Sequence, residues 1–581
     1  MKRALYAFLA ISAMLAACGT EQELAAQSQA ETAASSYTIT IVSQNPSSGV
    51  AITVSRADLY GRASGTTEFT RTYTTGTALS LTAPSSASGA PFQKWQKNGV
   101  DLTSSTTASI TVSAQDRYTA MYGSSSGGSS PTFKILASND LGMHCACPSF
   151  STFMLLPPYN TLRAQVFQTG AGEPSLLGAS TQYKVTYDVL ENTDAAMKAD
   201  PYFANWIQNS PKIFPGFQPV RADGRIQGLG GATLSGDMEV KTTPATTYFE
   251  KAGIPAYPVV TGTATDIMTD PLGGPQRTPY LTGRIQVVEK ATGKVMASDD
   301  VTVPVAFGGC CNCHVKLAGA YGKPTTPAGS FETMGMLHAR DARIDFSKLD
   351  PDGDGVGGPI RCSVCHWDPA MGESKAPGFA TTYPSYKILP GATFTSADVR
   401  TSQYSFSDVL HRFHAQSSAV LTSYDANIAK NCYDCHPGNN VNCYRDTHTT
   451  KTNASGQQIW CTDCHGDLNQ RIAQNQMANP WSAQTLPTCA QCHGSSYGEK
   501  SPGQSGWLNT GIFGKYLNSA GHHGSKVLCS SCHGSPHGLS PSTLAKDNVQ
   551  NIALQNDARA IGKCTVCHGD QSSTWQVPPH N

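Results

Sequence analysis

Seven short segments in the second half of the chain share one arrangement of side chains, Cys-X-X-Cys-His. This composition predicts roughly 0.02 such matches by chance, so the repetition indicates a shared chemistry. Two thiols three positions apart on one helical turn can add across the two vinyl groups of a haem, and the adjacent histidine then reaches the iron, which predicts seven covalent haems c. The predicted attaching cysteines are Cys310 and Cys313, Cys362 and Cys365, Cys432 and Cys435, Cys461 and Cys464, Cys489 and Cys492, Cys529 and Cys532, and Cys564 and Cys567. The predicted proximal histidines are His314, His366, His436, His465, His493, His533 and His568.

Cysteine pairs at this spacing also occur in zinc knuckles and in thioredoxin-like redox sites. Both interpretations fail here because every pair is followed directly by histidine. An N-terminal export signal, described below, agrees instead with haem attachment outside the cytoplasm. We therefore interpret the seven motifs as haem-attachment sites.

The other histidines are distributed unevenly along the chain. Of sixteen histidines, seven belong to the motifs and eight of the remaining nine follow residue 309, so that only His144 precedes it. Surface histidines would be spread over both halves, so the asymmetry predicts that most of the eight are distal ligands of haem iron. The distal candidates are His338, His411, His414, His448, His522, His523, His537 and His580. His411 and His414 are three positions apart, so one helical face could present both to neighbouring haems.

The sixth ligand decides whether these haems bind substrates. Methionine is the competing distal ligand, with Met334, Met336, Met371 and Met477 in the same region, but we predict two histidines at six or more of the irons. Iron with two protein ligands has no open position, so such haems transfer electrons and the sequence assigns no catalytic residue. Cys-X-X-Cys-Lys, a sign of ammonia-forming nitrite reductases, does not occur.

A short acidic segment matches the beginning of a calcium-binding loop. Asp350, Asp352 and Asp354 stand at positions 1, 3 and 5 of the pattern, and Gly355 stands at position 6. Position 12 is Arg361 instead of the bidentate glutamate of an EF-hand. Calcium binding and a solvated Asp/Gly turn are both open interpretations of this segment.

Three cysteines, Cys145, Cys147 and Cys443, fall outside the haem motifs, and Cys311 is a spacer residue within the first motif. A bond between Cys145 and Cys147 would close a very tight ring, so pairing of one of them with Cys443 and free thiols are equally open. His144, which precedes Cys145, is predicted to be a hydrogen-bonded structural residue, with metal binding as the alternative.

Composition excludes several classes of protein. The chain has 581 residues, of which 14% are charged, and 41 basic side chains balance 41 acidic ones. A nucleic-acid partner would require a basic excess, so none is predicted. The mean hydropathy is −0.28, and the one long apolar run is N-terminal, which argues against an integral membrane protein. The length exceeds that of a single domain.

The first eighteen residues have the pattern of a lipoprotein signal peptide. Lys2 and Arg3 precede a short apolar stretch, and Leu15-Ala-Ala-Cys18 resembles the bacterial lipobox. This resemblance implies cleavage before Cys18, lipidation of its thiol and, because Gly19 follows, sorting to the outer membrane. An ordinary signal peptide that is cleaved after alanine is the alternative. Residues 19–36 are polar and alanine-rich, so we predict a flexible tether there.

The rest of the chain divides into three parts that must hold these groups. Alternating β-branched runs separated by Gly, Ser, Asn and Pro predict an all-β domain at 37–122 and a β-sandwich at 132–309, joined by a Gly/Ser linker at 123–131. From 310 to 581 one haem per roughly 39 residues leaves little polypeptide for an ordinary core. We therefore predict a loop-rich domain with short helices whose core is the haems themselves.

The motifs at 310–581 resemble those of the multihaem c-type cytochromes, over about 272 residues. With the lipobox, and with a string at Leu141–Cys147 similar to strings beside haem domains, the chain resembles the outer-membrane lipoprotein cytochromes of metal-reducing bacteria. In 37–122, Phe92-Gln-Lys-Trp95 and Tyr118–Tyr122 resemble an internalin-B-type β-repeat. The resemblance implies electron transfer between periplasmic carriers and an extracellular acceptor, such as a metal oxide, a soluble shuttle or another cytochrome.

Three other functions compete with this interpretation. One is a terminal reductase in which a single haem lacks its distal ligand. Another is a subunit of a cytochrome filament, against which a lipid on Cys18 would count. The third is a surface binding protein in which the β-domains dominate and the haems are accessory.

Overall fold

A computed structural model describes residues 36–87, 90–123, 132–169, 174–243, 246–260, 266–416, 432–437, 441–480, 482, 485–487, 492 and 527–568. The chain forms two compact units, residues 1–125 and 126–581. Several predicted features lie outside the described residues: the signal peptide 1–18 with Cys18, the tether 19–36 except Ser36, the linker 123–131 except Gly123, Cys489, His493, His522, His523 and His580.

The described part of the first unit consists of short strands. They are β1 Ser36–Gln44, β2 Ala51–Val54, β3 Gly65–Thr66, β4 Phe69–Thr74, β5 Ala78–Thr82, β6 Ser86–Ala87, β7 Ala90–Lys97, β8 Val100–Thr103, β9 Thr107–Thr111 and β10 Arg117–Tyr122. One sheet has the order β4-β1-β10-β7-β6 with β8 beside β7, and the other has the order β3-β2-β5-β9. β1 pairs with β10 in parallel and with β4 antiparallel.

The core of this unit follows from residue alternation along the strands. Ile39 and Ile41 of β1, Leu81 of β5 and Trp95 of β7 are completely buried in one cluster. Each strand sends every second side chain inward, so the β-branched runs of the sequence become the inner faces of the two sheets. The prediction of an all-β domain in this region is therefore confirmed.

The second unit begins with a larger β-structure. Its strands are β11 Thr132–Asn139, β12 His144–Ala146, β13 Phe153–Met154, β14 Leu162–Thr169, β15 Ser175–Leu176, β16 Tyr183–Val189, β17 Ser235–Asp237, β18 Glu239–Thr242, β19 Thr247–Lys251, β20 Val259–Val260, β21 Arg277–Thr278, β22 Tyr280–Glu289 and β23 Val295–Phe307. Helices α1 (Asp194–Ala199) and α2 (Pro201–Ile213) are inserted between β16 and β17.

Two five-stranded sheets form this β-structure. One has the order β11-β14-β19-β18 with β15 beside β14, and the other has the order β12-β23-β22-β16-β17. Ile135 and Val166 of the first sheet share one buried cluster with Ile285 and Val303 of the second. The sheets therefore pack face to face, and the predicted mostly-β architecture before residue 310 is confirmed.

After residue 309 the described elements become short. The helices are α3 Cys310–Ala320, α4 Pro327–Ala342, α5 Phe379–Thr382, α6 Phe406–Gln416, α7 Cys461–His465, α8 Leu468–Ala473, α9 Cys529–His533, α10 Val549–Gln555 and α11 Thr565–His568. The strands are β24 Leu349–Asp350, β25 Ile360–Arg361 and β26 Lys387–Ile388. Single 3₁₀ turns lie at Phe346–Lys348, Cys362–Val364, Pro369–Met371, Ser396–Asp398, Thr447–Thr450 and Ala545–Asn548. Among the described residues, no helix has both the length and the apolar content required to cross a membrane.

The motif-bearing region is continuous with the sandwich. The sequence predicts separate domains at 132–309 and 310–581, whereas the structure places both in the compact unit 126–581. β23 leads directly into α3, and β13 of the sandwich pairs with β25 just before the second motif. The Tyr383 hydroxyl also donates to the carbonyl of Ile213 at the end of α2, at 2.8 Å. These contacts join regions 132–309 and 310–581, which the change in composition predicts to be separate domains.

Candidate functional site

The Cys-X-X-Cys-His motifs that the structure describes in full form helical turns. Six of the seven lie wholly within the described residues, and of the fifth only the exposed Cys492 is described. α3 begins at Cys310, and α7 and α9 span the fourth and sixth motifs. In the third motif the backbone N–H of His436 donates to the carbonyl of Cys432 at 2.7 Å, and the second and seventh motifs have the same bond. Positions i, i+3 and i+4 share one helical face, so each turn groups its two thiols with its imidazole.

Three motif histidines each lie beside a histidine from elsewhere in the chain. The ring centroids are 6.3 Å apart for His314 and His414, 6.3 Å for His436 and His411, and 6.0 Å for His465 and His537. A metal–nitrogen bond of about 2.0 Å, with about 1.1 Å from nitrogen to ring centroid, separates two trans imidazoles by about 6.2 Å. The observed spacing therefore fits one metal ion held between the members of each pair.

Helix α6 supplies two of these partner rings. Nδ1 of His411 donates to the carbonyl of Ser407, and Nδ1 of His414 donates to the carbonyl of Leu410, both at 2.7 Å. Since a carbonyl only accepts, Nδ1 carries the proton and Nε2 holds the lone pair that a metal ion requires. The helix thus orients both imidazoles through its own backbone, one turn before each histidine.

The same arrangement recurs at other distal candidates. Nδ1 of His537 donates to the carbonyl of Leu141 at 2.7 Å, and Nδ1 of His338 donates to the carbonyl of Ile344 at 2.8 Å. His338 also lies close enough to His366 of the second motif to lower its pKa, after the larger effect of burial. The structure therefore brings three distal candidates into ring contact with motif histidines and places His338 within electrostatic range of a fourth.

Burial determines the protonation state of the motif histidines. Burial, and then the neighbouring His414, lower the pKa of His314 to about 4. Burial, and then the neighbouring His411, lower the pKa of His436 to about 4, and burial, and then His537, lower the pKa of His465 to about 3. At neutral pH these imidazoles are uncharged, which is the form that binds a metal ion.

The remaining described histidines lie in short helical turns. His448 lies in the 3₁₀ turn Thr447–Thr450, where Oδ1 of Asp446 accepts its backbone N–H at 2.7 Å and lies 3.2 Å from its Nδ1. His533 ends α9 and His568 ends α11, and His568 is buried.

Neighbouring motifs in space are not always neighbours in sequence. The backbone N–H of Gly309, directly before the first motif, donates to the carbonyl of Cys435 in the third motif at 3.0 Å. The thiols of Cys432 and Cys461 are hydrogen-bonded to each other and join the third motif to the fourth. The first, third and fourth motifs therefore form a contiguous row that bypasses the second.

The last two motifs lie against the sandwich. Leu136 of β11 and Phe167 of β14 share a buried cluster with Val566, and Cys532 and Cys567 pack against it. Polar contacts reinforce this interface: the Gln165 amide oxygen accepts from the backbone N–H of Leu528 and from the Ser531 hydroxyl at 2.8 Å each, and that of Gln550 accepts from the N–H of Ala137 at 2.6 Å.

The acidic segment forms a compact turn. The ligand atoms of Asp350, Asp352 and Asp354 lie within 4.8 Å of one another. The buried Asp350 carboxylate accepts the N–H of Gly353 at 2.7 Å, and Lys212 of α2 forms an ion pair with Asp352. The positive charge beside these carboxylates is thus a lysine side chain of the same chain.

The cysteines outside the motifs are free thiols. This applies to Cys145, Cys147 and Cys443, so the structure has no disulfide between Cys443 and either of the others. The buried Cys147 sulfur accepts the backbone N–H of Leu155 at 3.2 Å. His144 is buried and its Nε2 lies 2.9 Å from Asp140 Oδ1, so it has the structural role that the sequence predicts.

Sequence reasoning missed the residues that support the site. Gln165 and the Leu141 carbonyl each act on a motif or ligand more than 360 residues away. For Gln165 a signal existed, because it is a polar residue between Ala164 and Val166 on a strand that is otherwise apolar at that point. A backbone carbonyl such as that of Leu141 leaves no such signal.

Comparisons with known proteins identify no family for this chain. No family model matches it, and no curated protein matches it. Among solved structures, BcpA, the major pilin subunit of Bacillus cereus, matches 47% of this chain and 69% of that chain at 9% identity, with a TM-score of 0.12. A superposition this poor supports no inference about fold or function.

Proposed function

We propose that the chain is an electron-transfer protein that carries seven covalently attached haems c. The observation that carries the proposal is the pairing of three motif histidines with three distant ones at ring separations of 6.0 to 6.3 Å. This spacing fits iron with two axial imidazoles, and the motif thiols stand within the preceding helical turn. Each haem, when bound, supplies a one-electron redox centre.

The geometry supports a specific set of axial pairs. We assign His414 to the first motif, His338 to the second, His411 to the third and His537 to the fourth. In each pair an Nδ1 hydrogen bond to a backbone carbonyl fixes the ring on the distal side. For the four motifs with an assigned distal histidine, two protein ligands would leave no position for a substrate, which supports a carrier over an enzyme.

Exposed apolar side chains beside the histidines support a haem-cored region at 310–581. Phe413 is 50% exposed and its ring lies 5.5 Å from that of His414, and Tyr404, whose carbonyl accepts from His366, is 46% exposed. Single exposed apolar side chains are common on protein surfaces, but these two residues contact histidines that we propose as haem ligands. The flat faces of the porphyrins would cover them.

The partners and the location of the protein are proposed from the sequence. A lipid on Cys18 would anchor the protein to the outer membrane, in an oxidising compartment suited to thioether formation. Its partners would be periplasmic cytochromes on one side and extracellular electron acceptors, such as metal oxides or soluble shuttles, on the other. Replacing Cys18 with Ala should release the protein from membranes or leave it unprocessed.

The test is the haem content of the full-length protein made together with a cytochrome c maturation system. The intact mass should exceed that of the chain by seven haems, which acid does not extract. The double variant Cys310→Ser/Cys313→Ser should carry six haems, whereas the control Cys311→Ser, at the spacer position between them, should carry seven. A mass that shows five or fewer haems in the unaltered protein would contradict the proposal.

A kinetic measurement separates a carrier from a reductase. Stopped-flow oxidation of the reduced protein by chelated ferric iron should be fast, and nitrite, hydroxylamine and sulfite should cause no ligand-induced spectral change. Rapid turnover of nitrite or hydroxylamine, together with a high-spin haem, would show that the protein is an enzyme.

A further inference from the structure

A loop of the sandwich reaches the distal histidine of the fourth motif. This loop, residues 139–143, joins β11 to β12. The carbonyl of Leu141 accepts a hydrogen bond from Nδ1 of His537 at 2.7 Å, across 396 positions of sequence. The ring of His537 in turn lies 6.0 Å from that of His465. One carbonyl of the 139–143 loop therefore touches the imidazole that we assign to the fourth iron.

The loop approaches the His537 segment more closely than any side chain would permit. A Cβ atom on Gly142 would lie 1.6 Å from the carbonyl oxygen of Pro536 and 3.3 Å from Cβ of His537. Gly142 has φ of +70° and His537 has φ of +61°, so both chains turn in the left-handed region at the contact. Only glycine satisfies both requirements at position 142.

Buried polar groups hold both sides of this contact. The Asn139 side chain accepts the backbone N–H of Leu141 at 3.0 Å and of Gly142 at 2.6 Å, and its own backbone N–H donates to the Ser535 hydroxyl at 2.8 Å. These bonds fix the loop to β11 and to the segment that carries His537.

A buried arginine forms hydrogen bonds to both sides of this contact. Arg445 donates from Nη1 to the carbonyl of Gly142 at 2.7 Å, and its backbone N–H donates to the carbonyl of His537 at 2.9 Å. Its guanidinium forms a buried ion pair with Asp547 at 2.6 Å. Arg445 thus bonds to the loop and to the histidine at once.

The other assigned distal histidines are oriented locally. His411 and His414 donate to carbonyls one turn earlier in their own helix, and His338 donates to Ile344, six positions away. Among these four, the described contacts place a backbone carbonyl of the sandwich on the ring only at His537, whose side chain also hydrogen-bonds that of Cys443.

We propose that the 139–143 loop is the positioning element for the distal ligand of the fourth iron, so that the sandwich sets the ring orientation and the reduction potential of that haem. The inference rests on the proposed function. The orientation of an axial imidazole and the strength of its Nδ1 hydrogen bond both act on the iron, because they change the basicity of the ligand and its overlap with the metal orbitals.

The test compares two glycine substitutions in the full-length, haem-loaded protein. Gly142→Ala forces the loop away from Pro536, and Gly293→Ala, with φ of +72° and nothing within 4 Å of its Cβ, controls for left-handed strain alone. His537→Met first identifies the potential and the low-temperature EPR signal of the fourth haem. Gly142→Ala should shift that potential and that signal and leave the other haems unchanged, and Gly293→Ala should shift none.

A milder variant keeps the inference testable if Gly142→Ala fails to assemble. Ser535→Ala removes only the hydroxyl that accepts the backbone N–H of Asn139. It should give a smaller shift confined to the same haem. Seven haems with no change at the fourth haem in either variant would overturn this inference and leave the proposed function standing. A protein that binds no haem would overturn the proposed function itself.

Discussion

At the scale of single residues, the histidines that we propose as axial ligands are both buried and hydrogen-bonded. Burial removes hydration from the rings and lowers the pKa of His314 and His436 to about 4. A backbone carbonyl on Nδ1 then restores one hydrogen bond to the distal rings of His411 and His414. Each of these two rings is thereby held in one orientation, with Nδ1 as the donor nitrogen.

Removing one distal ring should change one iron only. His411→Ala should leave seven covalent haems, because Cys432 and Cys435 still attach the third, and should produce one high-spin ferric signal of seven in EPR at low temperature. Arg412→Lys, one residue further along α6, is the control and should leave all signals low-spin, since Arg412 pairs with Asp408. An unchanged spectrum of His411→Ala would remove His411 from the set of ligands.

In the first unit, Asp58 is a buried titratable group that is held by hydrogen bonds. Its Oδ1 accepts the backbone N–H groups of Tyr60 and Arg62 at 2.9 Å, and its Oδ2 accepts from the Arg62 guanidinium at 3.0 Å. Burial acts to raise the pKa of Asp58, but these bonds outweigh it and lower the pKa. A lowered pKa in the folded state means that the charge stabilises the unit above the ordinary aspartate pKa, about 3.9, and that this stability is lost as the pH falls through the folded value.

We therefore expect Asp58→Ala to lower the free energy of unfolding of the first unit by about 1–3 kcal/mol at pH 7. The loss should shrink as the pH falls below about 4, because the unaltered protein then loses the same charge. Urea unfolding followed by Trp95 fluorescence between pH 2 and 7 measures both effects. Asp101→Ala removes an exposed carboxylate that pairs with Lys94 and is the control, with no change expected. A difference between Asp58→Ala and the unaltered protein that is independent of pH would contradict this account.

At the scale of elements, short helices position the histidines after residue 309, whereas strands form most of the structure before it. α6 presents two imidazoles three positions apart to two different motifs, His436 and His314. Each motif is itself one turn, too short to be stable alone in water, so its conformation depends on packing against larger elements. The sandwich provides that support at α9 and α11.

Gln165 tests that support directly. It is completely buried on β14, and its amide oxygen accepts the backbone N–H of Leu528 and the hydroxyl of Ser531 at the start of α9. Gln165→Ala leaves both donors without this acceptor in a buried position, which should cost about 1–3 kcal/mol. The measurement is the urea midpoint of the haem-loaded protein together with the rate of proteolysis within 527–568.

Gln168→Ala, on the same strand but only partly buried, is the matched control. It should change the midpoint by less than about 0.5 kcal/mol. Equal effects of the two substitutions would show that the contact between Gln165 and α9 does not stabilise the last two motifs.

At the scale of the whole molecule, the boundary between the two compact units separates two hydrophobic cores. It does not fall at residue 310, where the motifs begin. Residues 36–123 have their own buried cluster around Trp95, whereas the sandwich and the motif region share clusters and hydrogen bonds. A chain of residues 126–581 should therefore bind as many haems as the full protein, and residues 36–123 alone should unfold cooperatively.

Cutting at residue 310 should have the opposite result. Residues 310–581 alone lose the Leu141 carbonyl, Gln165 and the apolar surface of β11 and β14. We expect fewer low-spin haems and rapid proteolysis, measured by EPR and limited trypsin digestion beside the 126–581 chain. A 310–581 chain as stable and as fully low-spin as 126–581 would show that the sandwich is dispensable.

Local pattern alone determined a large part of this protein. The alternation of β-branched residues predicts the strands before residue 310, as in β1 and β5, because strand formation depends on side chains two positions apart. The spacing within each motif likewise predicts a helical turn that groups two thiols with an imidazole, because three residues within one turn are related by local geometry only.

Tertiary structure decided which histidine meets which motif and how the motif region is attached. Nothing in the sequence near His537 indicates that its ring is held by Leu141, or that the first motif adjoins the third. Such contacts form between segments hundreds of positions apart, when the packing of many side chains leaves one arrangement in which buried donors and acceptors are satisfied. Residue types and short spacings therefore predict the chemistry of each site. The free energy that selects long-range partners is distributed over the whole core, so no short segment predicts them.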